Sequence, residues 1–242
     1  MIDIVLQKNE RLEDLQCKGL KIIQNKDYYT FTSDSVILAN FVQTKKNDLC
    51  VEIGTGCGVI SILLSAKKDF KNITAFELQR EMADLANKNV RLNNLDEKIS
   101  IINDNIENFN SYLTKNSVDV VFSNPPYMLG GDENKNLVRD KARHEKSLPL
   151  ERLTNLASQM LKFGGKFYVV YSAERSVELI ASLTKNNLQP KKMFFTSNGK
   201  GKVVLVVIEA VKGGKSGVKV LPELVTNEAS GEYLEKLHTK YC

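Results

Sequence analysis

Short apolar segments alternate with helix-like segments from residue 48 onward, and this alternation is the strongest constraint on the fold. Units of this kind build a parallel sheet, and continuous apolar runs are typical of strands that helices cover on both faces. The pattern predicts strands at Leu49–Ile53, Ile73–Glu77, Ile99–Asn103, Val118–Ser123 and Lys166–Tyr171. It predicts intervening helices near Val59–Ala66, Gln79–Asn93, Leu150–Leu161 and Ala173–Leu183. We therefore expect an α/β fold with a mostly parallel sheet and helices on both faces.

The segment after Lys191 predicts a different end to the sheet. Met193–Phe195 and Val203–Ile208 are apolar, and the residues between them include Ser197–Gly201, a tight-turn sequence with two glycines. These features predict two antiparallel strands, so that the sheet has seven strands and ends in a hairpin. Residues 212–242 are charged and are interrupted by Pro222, so we expect a surface tail that packs on the domain.

The first 47 residues predict a short extension before the main domain, which we place at 48–211. Leu20–Ile23 and Tyr28–Phe31 flank the turn-prone Asn25–Asp27, which predicts a hairpin. Ser33 is expected to cap a helix that continues to about Phe41. A chain of 242 residues with 42% hydrophobic content can bury one full core, so a single main domain is the natural expectation.

Composition excludes several classes of protein. No segment has the roughly 18 uncharged apolar residues that span a bilayer, and the first residues do not resemble a secretory signal. The four cysteines and two histidines lack the spacing of a metal cluster. We expect a cytoplasmic monomer that binds neither a membrane nor a metal ion.

A glycine-rich loop follows the first strand of the main domain. The sequence Glu52-Ile-Gly-Thr-Gly-Cys-Gly58 leads directly into a helix. Glycines there allow a tight turn and a close approach of backbone amides to a nucleotide-like ligand. We expect that ligand to contact Gly54, Thr55, Gly56 and Gly58. The G-x-G-x-G spacing differs from the dinucleotide pattern and lacks the Gly-Lys-Ser/Thr ending of a triphosphate loop, and a purely packing role is the alternative.

Acidic residues at three strand ends narrow the choice of ligand. Glu77 lies 19 residues after Gly58 and can accept hydrogen bonds from both hydroxyls of a ribose. Glu52 would repel a pyrophosphate but suits the ammonium group of a methionine moiety, directly or through water. Asp104, with Asn105 beside it, can accept a bond from an adenine amino group, although a helix N-cap is an equal alternative. Glu77 discriminates little between NAD and S-adenosylmethionine, so it is Glu52 that favours S-adenosylmethionine.

The fourth strand leads into Asn124-Pro125-Pro126-Tyr127. The two prolines lack amide donors, so nearby carbonyls stay available as acceptors. The side-chain oxygen of Asn124 and the carbonyl of Pro125 can draw the two N–H groups of an aromatic amine out of plane and localise its lone pair. Tyr127 can stack on a flat substrate, which contributes ~1–3 kcal/mol per base in single-strand binders. The alternative is an ordinary Asn-Pro turn, but a strand end near the switch in strand order favours a site.

The basic residues are unevenly distributed. The net charge is +5, and Lys185–Lys219 holds eight lysines against the single acid Glu209. Such a strip can attract phosphates with salt-sensitive affinity, and a solvated lysine-rich face is the alternative. The RNA-binding candidates in this strip are Lys191, Lys192, Lys200 and Lys202.

These motifs together resemble the Rossmann-like class I methyltransferases that act on amino groups. The resemblance covers about residues 30–211 and rests on the glycine loop with Glu52, on Glu77 and Asp104, and on Asn124–Tyr127. It implies S-adenosylmethionine as cofactor and catalytic roles for Asn124, Pro125, Pro126 and Tyr127. Glutamine, adenine and guanine methyltransferases share these motifs, so they do not determine the substrate.

A closer resemblance is to the bacterial valine-tRNA adenine-37 N6-methyltransferases. It rests on Phe31–Ala39, Ala142–Glu145, Tyr171–Arg175, Leu221–Glu223 and Gly231–Tyr233. It implies methylation of the adenine next to the anticodon of a valine tRNA, an unpaired loop base that can be everted. It also implies that Asp34 lies near the methionine end of the cofactor, with helix capping as the alternative. The segment after Tyr127 then supplies RNA-binding candidates, unless it is simply a solvated loop: Lys135, Arg139, Lys141, Arg143 and His144.

Three other functions compete with this interpretation. A release-factor glutamine N5-methyltransferase shares the motif, but the short N-terminal region and the basic strip disfavour it. An NAD-dependent oxidoreductase would give the Asn-Pro-Pro-Tyr segment no task, and the glycine spacing is wrong for it. A noncatalytic RNA-binding module would not need an acidic cofactor pocket.

Overall fold

A computed structural model describes residues 5–28, 30–126 and 148–226 of the chain. Its strands are β1 (Glu10–Asp14), β2 (Lys21–Asn25), β3 (Leu49–Ile53), β4 (Asn72–Glu77), β5 (Ile99–Asn103), β6 (Val118–Ser123), β7 (Leu161–Ser172), β8 (Leu188–Asn198), β9 (Val203–Lys212), β10 (Lys219–Val220) and β11 (Leu224–Thr226). Its α-helices are α1 (Ser33–Phe41), α2 (Val59–Lys67), α3 (Arg80–Leu92), α4 (Leu150–Met160) and α5 (Ser176–Lys185). Short 3-10 turns occupy Ile106–Ser111 and Ala173–Arg175. None of the helices in these ranges is both long and apolar enough to cross a bilayer.

The central sheet confirms the expected fold class. Seven of its strands lie in the order β5, β4, β3, β6, β7, β9, β8. Strands β3 to β7 pair in parallel, whereas β9 runs antiparallel to both β7 and β8 and forms the predicted hairpin. The strand order reverses at β3, which lies between β4 and β6, so the carboxyl ends of β3 and β6 are neighbours. In open α/β sheets this switch point is where ligands bind.

Two apolar clusters cover the two faces of the sheet. Helices α1, α2 and α3 contribute to the first cluster, together with the hairpin of β1 and β2. Helices α4 and α5 and the 3-10 turn at Ile106–Ser111 contribute to the second. Successive residues of a buried strand enter opposite clusters, as Cys50 and Val51 of β3 do. This alternation explains why the strands are mostly apolar.

The N-terminal hairpin corrects one prediction. Its strands are β1 and β2, paired antiparallel from Glu10 with Asn25 to Asp14 with Lys21. The Asn25–Asp27 turn therefore follows the hairpin, and the described residues of the segment Tyr28–Phe31 form no strand. Ser33 is the first residue of α1 and not its cap, since the N-cap position belongs to Thr32.

Side-chain amides attach this hairpin to α3. The buried Asn89 accepts a hydrogen bond from Ile23 N at 2.6 Å and donates to Ile23 O at 3.0 Å. It also donates to Cys57 O in the glycine loop at 2.9 Å. One helical turn later, Asn93 pairs with both backbone groups of Lys21. These bonds hold the hairpin against α3, the helix that also contacts the glycine loop.

The described part of the tail extends the sheet. Strands β10 and β11 both pair in parallel with β8. Leu221 and Leu224 pack on the first apolar cluster, and Leu221 N donates to Met193 O at 2.8 Å. The charged sequence did not indicate these two short strands, because each has only two or three residues. Residues 227–242 lie outside the described ranges.

Candidate active site

The glycine loop begins where β3 ends and is attached to β4. Gly54 N and Thr55 N both donate to Phe76 O, at 2.9 and 3.0 Å. Gly54, Gly56 and Gly58 all have positive φ, which L side chains rarely adopt. A Cβ on Gly54 would meet no heavy atom within 4 Å, whereas one on Gly58 would lie 3.5 Å from Ala86. The loop therefore packs on α3 at its far end and borders open space at Gly54.

Glu77 lies at the carboxyl end of β4 and is held by the loop it faces. One of its oxygens accepts a hydrogen bond from Gly56 N at 2.9 Å, and the other accepts one from Gln79 N at 3.0 Å. Burial raises the pKa of this carboxyl, and the two backbone bonds act in the opposite direction. Each carboxylate oxygen can still accept a further hydrogen bond.

Glu52 is fully buried beneath the same loop. Its Oε2 accepts hydrogen bonds from Thr55 Oγ1 at 2.7 Å and from Ser61 Oγ. Its Oε1 has no hydrogen-bond partner within the part of the chain that the structure describes. Burial raises the pKa of this carboxyl to about 8, although the two hydroxyls lower it. A buried acceptor without a donor is costly, so the site favours a ligand that brings a cationic donor.

Asp104 and Asn105 follow β5. Asp104 accepts bonds from Asn105 N at 2.7 Å, from Asn108 Nδ2 at 2.8 Å and from the Tyr112 hydroxyl at 2.9 Å. These donors lower the pKa of the Asp104 carboxyl, and the hydrogen bond from Asn108 has the largest effect. The N-cap role expected as an alternative for Asp104 belongs to Asn105, whose side chain accepts from Glu107 N at 3.0 Å.

Asn124 lies directly beside the glycine loop at the switch point. The last residues of β3 and β6, Ile53 and Ser123, are paired, and Ser123 Oγ donates to Ile53 O at 2.8 Å. Asn124 is partly exposed and donates through Nδ2 to Ser35 Oγ of α1 at 3.1 Å. Pro125 is buried and Pro126 is half-buried behind it. The two sequence motifs are therefore brought to one edge of the sheet.

The other predicted site residues divide by position. Asp34 lies on the first turn of α1 next to Ser35, and Ser33 Oγ donates to it at 3.4 Å. Tyr127 falls outside the described residues, as do Lys135, Arg139, Lys141, Arg143 and His144. In the residues described, no group of three or more His, Cys, Asp or Glu side chains could hold a metal ion.

The four RNA-binding candidates in the basic strip separate into two pairs. Lys191 donates to the carbonyls of Lys215 and Gly217, and Lys192 forms an ion pair with Glu209. Lys200 and Lys202 are exposed at the tip of the hairpin between β8 and β9. Because β8 runs parallel to β7, this tip lies at the carboxyl edge of the sheet, on the side of Asn124.

Sequence reasoning missed three residues at this edge. Ser35 contacts Asn124, Leu78 is an exposed apolar side chain directly after Glu77, and Asn103 donates to Glu77 O at 2.9 Å. Of the three, only Leu78 could have been identified from the sequence, because it directly follows the acidic residue that ends β4. The role of Ser35 depends on a contact between residues 89 positions apart.

Comparison with known proteins agrees with this geometry. A family described as the methyltransferase small domain matches residues 30–191. The tRNA1(Val) (adenine(37)-N6)-methyltransferase of Tolumonas auensis is 26% identical over 194 residues, which cover 79% of this chain and 80% of that protein. The protein of the same name from Bacteroides fragilis is 24% identical over 226 residues, which cover 91% and 94%.

Solved structures show the same fold at low identity. A predicted O-methyltransferase from Agrobacterium tumefaciens superimposes with a TM-score of 0.66 at 17% identity, covering 86% of this chain and 97% of that one. TYW2 of M. jannaschii in complex with AdoMet gives a TM-score of 0.59 at 15% identity, covering 86% and 87%.

Proposed function

Because the chain belongs to the methyltransferase small domain family, we propose that it transfers a methyl group from S-adenosylmethionine to N6 of adenine 37 in a valine tRNA. The observation that carries this proposal is the side-by-side position of the glycine loop and Asn124, which Ser123 links by its bond to Ile53. The relatives named as tRNA1(Val) adenine-37 methyltransferases align with most of this chain and support the substrate.

The residues at the switch point fit S-adenosylmethionine. The open space beside Gly54 admits the ligand, and Glu52 Oε1 lacks a donor that an ammonium group can supply. We propose that Glu77 accepts hydrogen bonds from the ribose hydroxyls and that Leu78, Asp104 and Asn105 border the adenine ring. We propose that Asp34 lies near the methionine end. When bound, the cofactor supplies an electrophilic methyl group on a sulfonium.

The chain's own part in the reaction is to prepare the amino nitrogen. Asn124 Oδ1 and the Pro125 carbonyl accept the two N–H groups and draw the lone pair away from the adenine ring. With its lone pair localised, the nitrogen would take the methyl group that the bound cofactor supplies, which would leave the cofactor as a neutral thioether, and the nitrogen would release one proton to solvent. Tyr127, next in sequence, is proposed to stack on the base.

The substrate RNA is proposed to approach along the carboxyl edge. Lys200 and Lys202 are exposed there and can contact phosphates. Lys191 and Lys192 make contacts within the protein, so we assign them a smaller share of the affinity. The basic residues between Lys135 and His144 follow Asn124 closely in sequence and are proposed to add further contacts.

Nucleoside mass spectrometry after incubation with S-adenosylmethionine tests the function directly. Unmodified valine tRNA should yield N6-methyladenosine, and the same tRNA with guanine at position 37 should yield none. The matched guanine variant keeps a purine at position 37 and replaces the target 6-amino group with a carbonyl oxygen.

Two results would contradict the assignment. Transfer to a release-factor glutamine and not to tRNA would select the rival amino-methyltransferase, which has the same cofactor and the same Asn-Pro-Pro-Tyr segment. N6-methyladenosine that persists in the guanine-37 tRNA would show that another nucleotide is the target.

A further inference from the structure

A side chain from helix α1 holds the amide of Asn124. Nδ2 of Asn124 donates a hydrogen bond to Ser35 Oγ at 3.1 Å, across 89 positions of sequence. Ser35 is only 4% exposed, so its hydroxyl is shielded from water that would compete for this bond. The contact therefore joins a buried hydroxyl to the side chain that is proposed to bind the substrate amino group.

Helix α1 is a rigid support for this hydroxyl. Val36, Leu38 and Ala39 on the following residues have no exposed surface. Phe41 at its end packs edge-on against Tyr168 of β7 at 5.7 Å and Phe194 of β8 at 5.1 Å between ring centroids. A well-packed helix holds its side chains in one rotamer, so Ser35 presents its hydroxyl oxygen at a fixed position.

The backbone of Asn124 is positioned by a separate contact. Ser123 Oγ donates to Ile53 O, which ties the ends of β6 and β3 together. This bond sets where Asn124 leaves the sheet but does not set the rotation of its side-chain amide. The bond from Nδ2 to Ser35 acts on that rotation.

We propose that Ser35 is a positioning residue that orients the Asn124 amide so that Oδ1, and not Nδ2, faces the amino group of the substrate. The inference rests on the proposed function. An amide carries two donors on nitrogen and only acceptors on oxygen. If it rotated by 180°, Nδ2 would point its N–H groups at an amino group that is itself a donor. The bond to Ser35 engages Nδ2, so Oδ1 is the end of the amide that is left for the substrate amino group.

Replacing Ser35 tests this role by separating turnover from cofactor binding. Ser35→Ala should lower kcat about tenfold, the effect of one lost hydrogen bond, and leave cofactor affinity within twofold of wild type. Ser35→Thr keeps a hydroxyl and should restore most of the turnover. Ser65→Ala is the matched control, because that hydroxyl donates only to Ile62 O within α2.

A second readout does not depend on activity. The side-chain amide signal of Asn124 in 15N NMR, identified by its loss in Asn124→Ala, should shift in Ser35→Ala and stay unchanged in Ser65→Ala. Wild-type turnover in Ser35→Ala, or an unchanged amide signal, would overturn the proposal. Parallel loss of turnover and cofactor affinity would also overturn it, because that result indicates damage to α1. If the wild type methylates no adenine, the proposed function fails, and the amide signal still decides whether Ser35 holds Asn124.

Discussion

Replacing Asn124 with alanine lowers kcat about 10²–10³-fold, the range seen when one preorganised polar group is removed from a reaction centre. The side chain lies at the end of β6 and is partly exposed, beside the loop that is proposed to hold the cofactor. Without Oδ1, one N–H of the adenine has no acceptor and its lone pair stays delocalised. Cofactor affinity should change by less than twofold, because neither Glu52 nor Glu77 contacts Asn124. Single-turnover kinetics together with titration of S-adenosylhomocysteine measure both quantities.

Two further variants sharpen this prediction. Asn124→Asp keeps an acceptor oxygen and should retain more turnover than the alanine variant. Asn72→Ala removes an exposed asparagine from the opposite end of the sheet, at the start of β4, and should behave as wild type. Equal turnover in Asn124→Ala and Asn72→Ala would show that the amide takes no part in the reaction.

Cofactor affinity rises with pH between about 6 and 7.5, by up to about tenfold per pH unit, because of Glu52. Burial raises the pKa of this carboxyl to about 8, so the cofactor-free protein holds it protonated below that pH. An ammonium group beside it favours the carboxylate, so binding in this window must release the proton. Calorimetric titration at several pH values should show tighter binding and less proton release as the pH approaches 8.

Glu52→Gln should remove this dependence, because an amide does not titrate. Glu209→Gln is the matched control, since Glu209 is also a buried glutamate in the same sheet, three strands away. It should keep the pH dependence of the wild type. A Glu52→Gln variant whose affinity still rises with pH would show that another group releases the proton.

The raised pKa of Glu52 also predicts that the cofactor-free protein becomes less stable as the pH rises. The folded chain keeps a proton on Glu52 that the unfolded chain releases above its ordinary pKa of 4.5. The Glu52 contribution to the free energy of unfolding therefore falls as pH rises from about 4.5 to 8. Relative to Glu52→Gln, the wild type should lose stability across that window.

Sequence patterns predicted the sheet well because its strands are buried on both faces. The bounds of β3, β5 and β6 were predicted correctly, since each is a short, mostly apolar segment that ends next to a polar residue or a glycine. The N-terminal hairpin was misplaced because β1 is largely exposed and charged, so it has no apolar signature. Its position depends on Asn89 and Asn93 of α3, which are distant in sequence.

Some features of the candidate site could also be predicted from the local sequence, whereas others depend on contacts between residues that are distant in sequence. The glycine loop, Glu77 and Asn124 follow strand ends, and parallel strands bring such ends to one edge, so their proximity could be inferred. The bond between Gly56 N and Glu77, the lone Oε1 of Glu52 and the Ser35 contact could not. Each depends on side-chain rotamers that the packing of α1, α2 and α3 determines.

A crystal structure with S-adenosylhomocysteine and an adenine-37 anticodon stem-loop gives the most direct test. We expect N6 of adenine to lie within hydrogen-bond distance, about 3 Å, of both Asn124 Oδ1 and the Pro125 carbonyl. We also expect the cofactor sulfur to face that nitrogen from the side of the glycine loop. An adenine amino group that contacts neither oxygen, or an Asn124 amide turned away from the sulfur, would contradict the proposed mechanism.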